Sequence, residues 1–202
     1  MKKLILVPLF LLSSLCLFAQ KTVLPSLLLD TIKAKAGKIK FVNGTPMLSS
    51  NDIIQNVSKS KEYSLLITAI TDAGLTETFK SKGPITVFAP TNLAFENMPA
   101  GKLDTLLKPA HKLDLSYLLT YHALAGRVTA KDIARKINSG KGQATFTTIA
   151  GSKINARIDA NRNIILIDEN GGQSVISQFD IPQSNGMLHV VNAVLMPKAK
   201  VI

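Results

Sequence analysis

Hydrophobic positions follow two different periods along the chain. Between about residues 52 and 137 they recur at helical spacing: Leu65, Leu66, Ala69, Ile70 and Ala73 are apolar, and a glycine then ends the run. From residue 144 onward the apolar residues alternate or form short runs between Gly- and Asn-containing turns, which is typical of antiparallel strands. Helices followed by a meander of strands favour an α+β domain in which helices cover antiparallel sheet.

The individual elements follow from this change of period. Helices are predicted at residues 26–36, 52–57, 62–73, 75–80, 102–107, 111–119 and 129–137. Strands are predicted at residues 84–89, 121–125, 144–149, 154–158, 163–168, 173–179 and 187–196. Residues 39–42 alternate only weakly, and Asn43-Gly44 after them is a turn signal. Thr129 and Asp132 have the spacing of a capping box at a helix start. No internal repeat interrupts this order, so one domain is expected from residue 47 to 198.

The stretch at residues 83–95, GPITVFAPTNLAF, joins a strand to a helix without a polar loop. Pro90 lacks an amide N–H and has a fixed φ, so it ends the strand. Thr91 and Asn92 are both N-capping residue types, and the sequence leaves open which of them caps the next helix. Two apolar side chains of that helix are expected to pack on the core, those of Leu93 and Phe95.

The N-terminus has the three parts of a secretory signal peptide, predicted at residues 1–19. A charged start precedes an apolar run, and Ala19 offers a small residue at the cut. The run is shorter than the roughly 20 residues of a membrane-spanning helix, so no transmembrane segment is expected after cleavage. Leu15 is bulky and disfavours lipid attachment at Cys16, which is the single cysteine. The expected product is exported to the periplasm, the cell surface or the medium and has no disulfide.

Positive charge is concentrated near the N-terminus. The formal net charge is +11, and the segment between the predicted cut and residue 47 carries a single acid, Asp30, among its lysines. Residues 20–46 are therefore predicted to be a basic extension that docks on an anionic surface such as acidic glycan or phospholipid. The lysines assigned to this docking are Lys33, Lys35, Lys38 and Lys40. Basic residues elsewhere are scattered and do not interleave with aromatics, so nucleic acid is not an expected partner.

The sequence contains no recognisable catalytic set. No pair of its three histidines has the i, i+4 spacing of a helical zinc motif, and no G-x-S-x-G elbow occurs. Asp168-Glu169 is interpreted as an exposed hairpin end rather than as a carboxylate pair, because Asn170-Gly171 follows it. An enzyme, a metal site and a cofactor are therefore not expected.

Three motifs occur in order along the chain. The first is TVFAPTN at residues 86–92 with Ala-Phe at 94–95, the second is Tyr121-His122, and the third is SNGMLHVV at residues 184–191 with Ala-Val-Leu and a proline after it. Together they resemble the fasciclin domain family over about residues 47–198, and the single-domain secreted fasciclin proteins of bacteria most of all. The resemblance implies a wedge of two β-sheets, about seven strands in all, with helices packed along it.

The resemblance also implies a class of function. Fasciclin domains are extracellular or cell-surface modules of adhesion and are not known as enzymes, so an extracellular protein or polysaccharide is the expected partner. In animal matrix relatives an Asp-Ile pair and a Tyr-His pair are implicated in integrin binding. They correspond here to Asp180-Ile181 and Tyr121-His122, although Pro182 departs from the family pattern. The alternative function is a carrier of an apolar small molecule, a pigment or a lipid, in a cleft of the fold.

Most of the motif residues also have a structural interpretation. Tyr121 and His122 sit among leucines, and His189 alternates with apolar residues on a strand, so hydrogen bonding inside the core is expected of them. For Asp180, near a turn, contact and structural roles stay open. The residues assigned to the structural motif are Thr91, Asn92, Asn185, Gly186 and His189.

Overall fold

The computed structural model describes residues 37–81 and 83–199. The predicted signal peptide, the helix expected at 26–36, and Cys16, Lys33 and Lys35 lie outside these residues. The helices are α1 (Ile53–Val57), α2 (Ser64–Asp72), α3 (Thr76–Lys80), α4 (Asn92–Glu96), α5 (Lys102–Leu106), α6 (Lys112–Tyr121) and α7 (Ala130–Ser139), with 3₁₀ turns at Lys61–Tyr63 and Pro109–His111. The strands are β1 (Ile39–Val42), β2 (Thr45–Leu48), β3 (Ile85–Pro90), β4 (Ala123–Ala125), β5 (Gln143–Thr147), β6 (Lys153–Ile158), β7 (Ile164–Ile167), β8 (Gln173–Gln183) and β9 (Gly186–Val191). The α+β class is as predicted.

Seven of the strands form one hydrogen-bonded order, β4-β3-β9-β8-β7-β6-β5. Neighbours are antiparallel except β3 and β9, which are parallel. The long strand β8 joins two halves, because residues 173–175 pair with β7 whereas residues 176–183 pair with β9 across two register shifts. The predicted seven strands are confirmed, and the two expected sheets share β8. A separate hairpin consists of β1 and β2.

Strand β3 runs between two buried apolar clusters. Its side chains alternate in direction, so Val87 belongs to the first cluster and Phe88 to the second, and both are buried. The first cluster gathers the helices that precede β4 against β3 and β9. The second packs Ile133 and Ile137 of α7 on strands β5 to β7. Burial of both faces explains why the sequence of β3 is apolar apart from Thr86.

The described end of the predicted basic extension belongs to the domain. Val42 of β1 and Met47 of β2 are buried in the first cluster, and both strands contact β8. The weakly alternating residues 39–42 form β1, and the predicted turn at Asn43-Gly44 follows it with left-handed φ values of 46° and 80°. The prediction missed β2, whose four residues include a proline.

Two element boundaries differ from the predictions. The strand expected from residue 121 begins at Ala123, because Tyr121 is the last residue of α6 and the His122 N–H donates to Leu119 O as the C-cap of that helix. Strand β9 ends at Val191 rather than at residue 196. Beyond it, side chains instead of a neighbouring strand hold the backbone: the Leu195 N–H donates to His122 Nε2.

At the corner after β3, Thr91 and Asn92 cap different helices. The Thr91 hydroxyl accepts from the Ala94 N–H at 3.3 Å, so Thr91 is the N-cap of α4. The Asn92 carboxamide instead accepts from the Leu65 N–H at 3.0 Å, in the first turn of α2. Asn92 Nδ2 also donates to two oxygens beside that turn, those of Lys61 O and Ser64 Oγ.

The expectation for Leu93 is wrong. Leu93 is 61% exposed, whereas Phe95 is buried as expected. Helix α4 has five residues, little more than one turn, and its buried residues are Ala94 and Phe95. A single turn presents one side to the core, so the residue on its other side faces solvent.

Candidate interaction surface

Tyr121 lies at the end of α6 and is fully buried. Its hydroxyl donates to Lys153 O at 2.8 Å and accepts from the Glu169 N–H at 3.2 Å, so it ties the helix to β6 and to the turn after β7. Burial raises the pKa of the Tyr121 hydroxyl above its usual value. The side chain does not reach the surface, which contradicts the prediction that it contacts a partner directly.

His122 is also buried and joins two segments of backbone. Its Nδ1 donates to Leu118 O at 2.9 Å, and its Nε2 accepts from the Leu195 N–H at 2.9 Å. These partners require the neutral Nδ1–H tautomer. Burial lowers the pKa of His122 to about 4, so the ring is uncharged near neutral pH. Both ring nitrogens are used inside the fold, and the predicted partner contact is contradicted here too.

Asp180 and Ile181 point to opposite sides of β8. Ile181 is fully buried in the first cluster, which contradicts its assignment as a contact residue. Asp180 lies within the second register shift of β8, between Gln178 and Ile181, has a left-handed φ of 57°, and is half-buried. Its Oδ1 accepts from the Ala130 N–H at 2.7 Å, at the start of α7. Asp180 therefore caps a helix while remaining accessible at the irregular part of β8.

His189 is the counterpart of His122 on β9. Its ring is fully buried; Nε2 donates to Val128 O at 2.9 Å and Nδ1 accepts from the Asp180 N–H at 3.3 Å. The ring is thus the Nε2–H tautomer, opposite to that of His122. Burial lowers the pKa of His189 below its ordinary value. The ring holds the irregular part of β8 against the segment that leads into α7.

Asn185 and Gly186 form a buried junction at the start of β9. Asn185 Oδ1 accepts from the Ile53 N–H at 3.1 Å, and its Nδ2 donates to Phe79 O at 2.8 Å. A Cβ at Gly186 would lie 1.9 Å from Ile85 O, on the neighbouring strand β3. Any side chain at this position would therefore force the parallel strands β3 and β9 apart.

Asp168 does not lie at an exposed hairpin end, as the sequence suggested, but is buried. Its Oδ1 accepts from the backbone N–H groups of Asn170 at 2.9 Å and Gly172 at 2.7 Å, and its Oδ2 accepts from the Met196 N–H at 2.8 Å. Three N–H donors satisfy the carboxylate at this depth. Asp168 therefore anchors the C-terminal segment to the β7–β8 turn.

Lys40, one of the predicted docking lysines, lies beside the predicted Asp180-Ile181 pair where the β1–β2 hairpin contacts β8. Lys40 Nζ donates to Phe179 O and, at 3.3 Å, to Asp180 O, and it lies 5.5 Å from the centre of the Phe179 ring. Phe179 is 50% exposed, and on either side of Lys40 in the sequence Ile39 is 54% and Phe41 65% exposed. We call these five residues the hairpin–bulge surface. It joins part of the predicted basic segment to the one accessible member of the predicted Asp-Ile pair.

The outer face of the hairpin is apolar. Alternation along β1 turns Val42 inward and Phe41 outward, and the cross-strand partner of Phe41 is the exposed Pro46. Antiparallel sheet usually presents polar side chains to water, so an apolar outer face with lysines beside it is typical of an interaction site. Lys38 is exposed at the entry to the strand. The alternation of residues 39–42 contained this signal, but the prediction used only the lysines.

Two kinds of site are absent from the described part of the chain. Residues 37–81 and 83–199 contain no cluster of three or more His, Cys, Asp or Glu side chains placed to hold a metal ion. In the same residues, no helix has both the length and the apolar character needed to cross a membrane.

Comparison with known proteins gives a consistent set of relatives. The model of the fasciclin domain matches residues 61–197. Protein sll1483 of Synechocystis is 31% identical over 150 residues, which cover 74% of this chain and 75% of that protein. Uncharacterized protein sll1735 of the same organism is 34% identical over 145 residues, which cover 72% of this chain and 97% of that protein.

A solved structure shares the fold. It is the FAS1 domain pair of the insect cell adhesion molecule fasciclin I, with a TM-score of 0.62 at 14% sequence identity. The similarity covers 74% of this chain and 51% of that chain, so this chain spans about half of the solved domain pair. At this identity the similarity concerns the fold alone.

Proposed function

Because the chain belongs to the fasciclin family, we propose that it is an exported, non-enzymatic adhesion module that binds an extracellular protein or polysaccharide. Fasciclin domains occur in adhesion and extracellular proteins. The signal-peptide pattern of residues 1–19 supports export. The partner contact is assigned to the hairpin–bulge surface, and its three exposed apolar side chains are the observation that carries the proposal.

The chemistry of this surface suits a macromolecular partner. Phe41 and Phe179 offer aromatic area, which is enriched at the centres of protein interfaces and stacks well on flat ligands. Lys38 adds an exposed positive charge at the edge of the surface. Lys40 holds the hairpin on β8 through two backbone carbonyls, so the aromatic groups are positioned before a partner arrives.

The sites of the Tyr121-His122 and Asp180-Ile181 pairs fit this proposal only in part. Three of the four side chains are buried and act inside the fold. Asp180 fixes the irregular backbone on which Phe179 is exposed, and it is therefore assigned a positioning role beside the contact.

Removal of the exposed aromatic groups tests the proposal. Phe41→Ser and Phe179→Ser are compared with Leu93→Ser, a matched control because Leu93 is an apolar residue of α4 whose exposure lies between theirs. Purified variants are passed over immobilised cell-envelope material from the native host, and retention is measured by surface plasmon resonance. The two phenylalanine variants should bind at least tenfold more weakly, while the control binds like the parent and all three keep its urea midpoint.

Two results would contradict the proposal. One is parental retention of both phenylalanine variants, which would place the contact elsewhere. The other is unchanged attachment of cells from which the gene has been deleted, which would remove the adhesive role itself.

A further inference from the structure

A groove of about 410 Å³ lies between α5, α6 and the C-terminal segment. Leu106 and Leu118, both buried, and the half-buried Met196 form its apolar lining. Leu113 of α6 also lines the groove, although it is 79% exposed. This volume is within the range of natural small-molecule sites, which are mainly apolar with a few polar groups. The groove is unrelated to the hairpin–bulge surface, so the inference does not depend on the adhesive function.

The C-terminal wall of the groove is fixed by the β7–β8 turn. The Met196 N–H donates to buried Asp168, and Asn170 Nδ2 donates to Met196 O at 2.8 Å. The Lys198 N–H donates to Glu169 Oε2 at 3.2 Å. These contacts hold the wall without a ligand, and a preformed site avoids the entropy loss of ordering its walls on binding.

The formally charged residues of the groove lining are two lysines and one acid. Lys102 and Lys198 both line it, and within residues 37–81 and 83–199 neither ammonium forms an ion pair. The single acid in the lining, Asp114, is bonded to His111 Nδ1 at 2.8 Å. An apolar lining with two unpaired ammonium groups at its edge matches a ligand that has an apolar chain and a negative head group.

We propose that this groove binds a single-chain amphipathic anion, a fatty acid or an alkyl phosphate. The chain lies over Leu106, Leu118 and Met196, and the head group lies between Lys102 and Lys198. The exposed side chain of Leu113 loses its contact with water when the chain enters. Lys102 and Lys198 are exposed and can turn towards a head group, and a wholly apolar pigment or neutral lipid would gain no charge contact from them. The anion is therefore the better match to the lining.

Calorimetric titration with ligands of graded length tests the proposal. Octanoate, decanoate, dodecanoate, dodecyl phosphate and dodecanol are each added to the purified protein below the concentration at which they aggregate. Dodecanoate should bind at one site and at least tenfold more tightly than dodecanol. Each added methylene group should tighten binding about fourfold, as burial of one CH₂ predicts. The tighter of dodecanoate and dodecyl phosphate identifies the head group, and either order supports the anionic class.

Variants locate the binding. Thr105→Trp fills the groove from α5 and should abolish saturable binding. Leu113→Ser changes an exposed position and should lower the affinity for every ligand. The double variant Lys102→Gln/Lys198→Gln should bind dodecanoate and dodecanol equally. Lys131→Gln on α7 is the matched control, since it removes an exposed helix lysine away from the groove, and should leave all affinities unchanged.

Three outcomes would overturn the proposal. They are the absence of saturable binding of any of the five ligands, equal affinity of dodecanoate and dodecanol for the parent protein, and unchanged affinity in both Thr105→Trp and Leu113→Ser. The unfolding midpoint of each variant shows whether a loss of binding reflects the groove or the fold.

Discussion

Two histidine-centred junctions stabilise the same sheet, and they differ in what surrounds them. At the first, His122 joins the end of α6 to the C-terminal segment, and its neighbour Tyr121 is also buried. At the second, His189 holds the irregular part of β8, whose outer side carries Asp180 and the exposed Phe179. Both rings bond only backbone groups. The comparison teaches that a Tyr-His or Asp-Ile pair is available for contact with a partner only where its side chains reach solvent.

Removal of the His122 ring, at the first junction, which is closed to solvent, should lower the stability of the protein most. His122→Ala leaves Leu118 O and the Leu195 N–H without partners in a buried site, so the free energy of unfolding should fall by about 3 kcal/mol. His189→Ala should cost less, because its contact with the Asp180 N–H is long, at 3.3 Å, and water reaches half-buried Asp180. Urea unfolding of both variants measures the difference. A larger loss for His189→Ala would mean that the second junction is the closed one.

Acid should destabilise the protein through both rings. Their pKa values are lowered by burial in the folded state, to about 4 for His122, and the unfolded value is about 6.5. The unfolded chain therefore binds more protons below pH 6.5, and the stabilisation present above that pH is lost as the pH falls. For His122 the loss should reach about 3 kcal/mol by pH 4.

Urea midpoints at pH 7.5, 6.5, 5.5 and 4.5 measure this loss. His122→Ala should flatten the curve more than His189→Ala does, since burial lowers the pKa of His122 as far as about 4. An unchanged pH dependence in His122→Ala would contradict the assignment of this ring as the main acid-sensitive group.

Asp180 should have an intermediate effect, because its carboxylate caps α7 from a left-handed backbone position. Asp180→Ala removes the acceptor of the Ala130 N–H and places an alanine at a φ of 57°, so we expect a loss of about 1–2 kcal/mol. Asp180→Asn keeps an acceptor and a residue type that tolerates this conformation, and it should stay near the parent. Thermal unfolding compares the two. Equal losses would show that the negative charge, rather than the cap, stabilises the junction.

The fold was predictable from the sequence because its signals are local. The helical spacing around Leu65, the capping box at Thr129 and the turn residues between the later strands each specify their own element. The motif around Pro90 placed the corner between β3 and α4 correctly. Errors occurred where a distant partner decides the outcome: β9 ends early because His122 and Asp168 hold the chain that follows it.

The site was less predictable because exposure depends on tertiary contacts. Ile181 and Phe179 are both apolar residues of β8, and only the irregular pairing with β9 decides that one is buried and the other exposed. Likewise, nothing near Lys40 in the sequence indicates that its ammonium contacts the backbone of residues 179 and 180. The lysine-rich composition indicated a docking segment, which stays a prediction, but not the contacts that each lysine makes.

Replacement of Lys40 or Lys38 should have the smallest effects on stability, and the effect should be larger for Lys40. Lys40→Met removes the donor to Phe179 O and Asp180 O, so we expect a loss of about 0.5–1 kcal/mol. The ammonium of Lys38 is exposed, and Lys38→Met should change stability by less than about 0.5 kcal/mol. Urea unfolding at equal protein concentration measures both.

Binding should show the opposite order from stability. An exposed ammonium attracts an anionic surface through a charge that salt screens, so Lys38→Met should weaken retention on anionic vesicles and reduce its salt dependence. Lys40→Met should change retention less, because that ammonium already bonds two carbonyl groups of the fold. If Lys40→Met abolished the salt dependence while Lys38→Met left it intact, Lys40 would be the docking charge. The second junction, around His189 and Asp180, would then bind its partner by releasing the β1–β2 hairpin from β8.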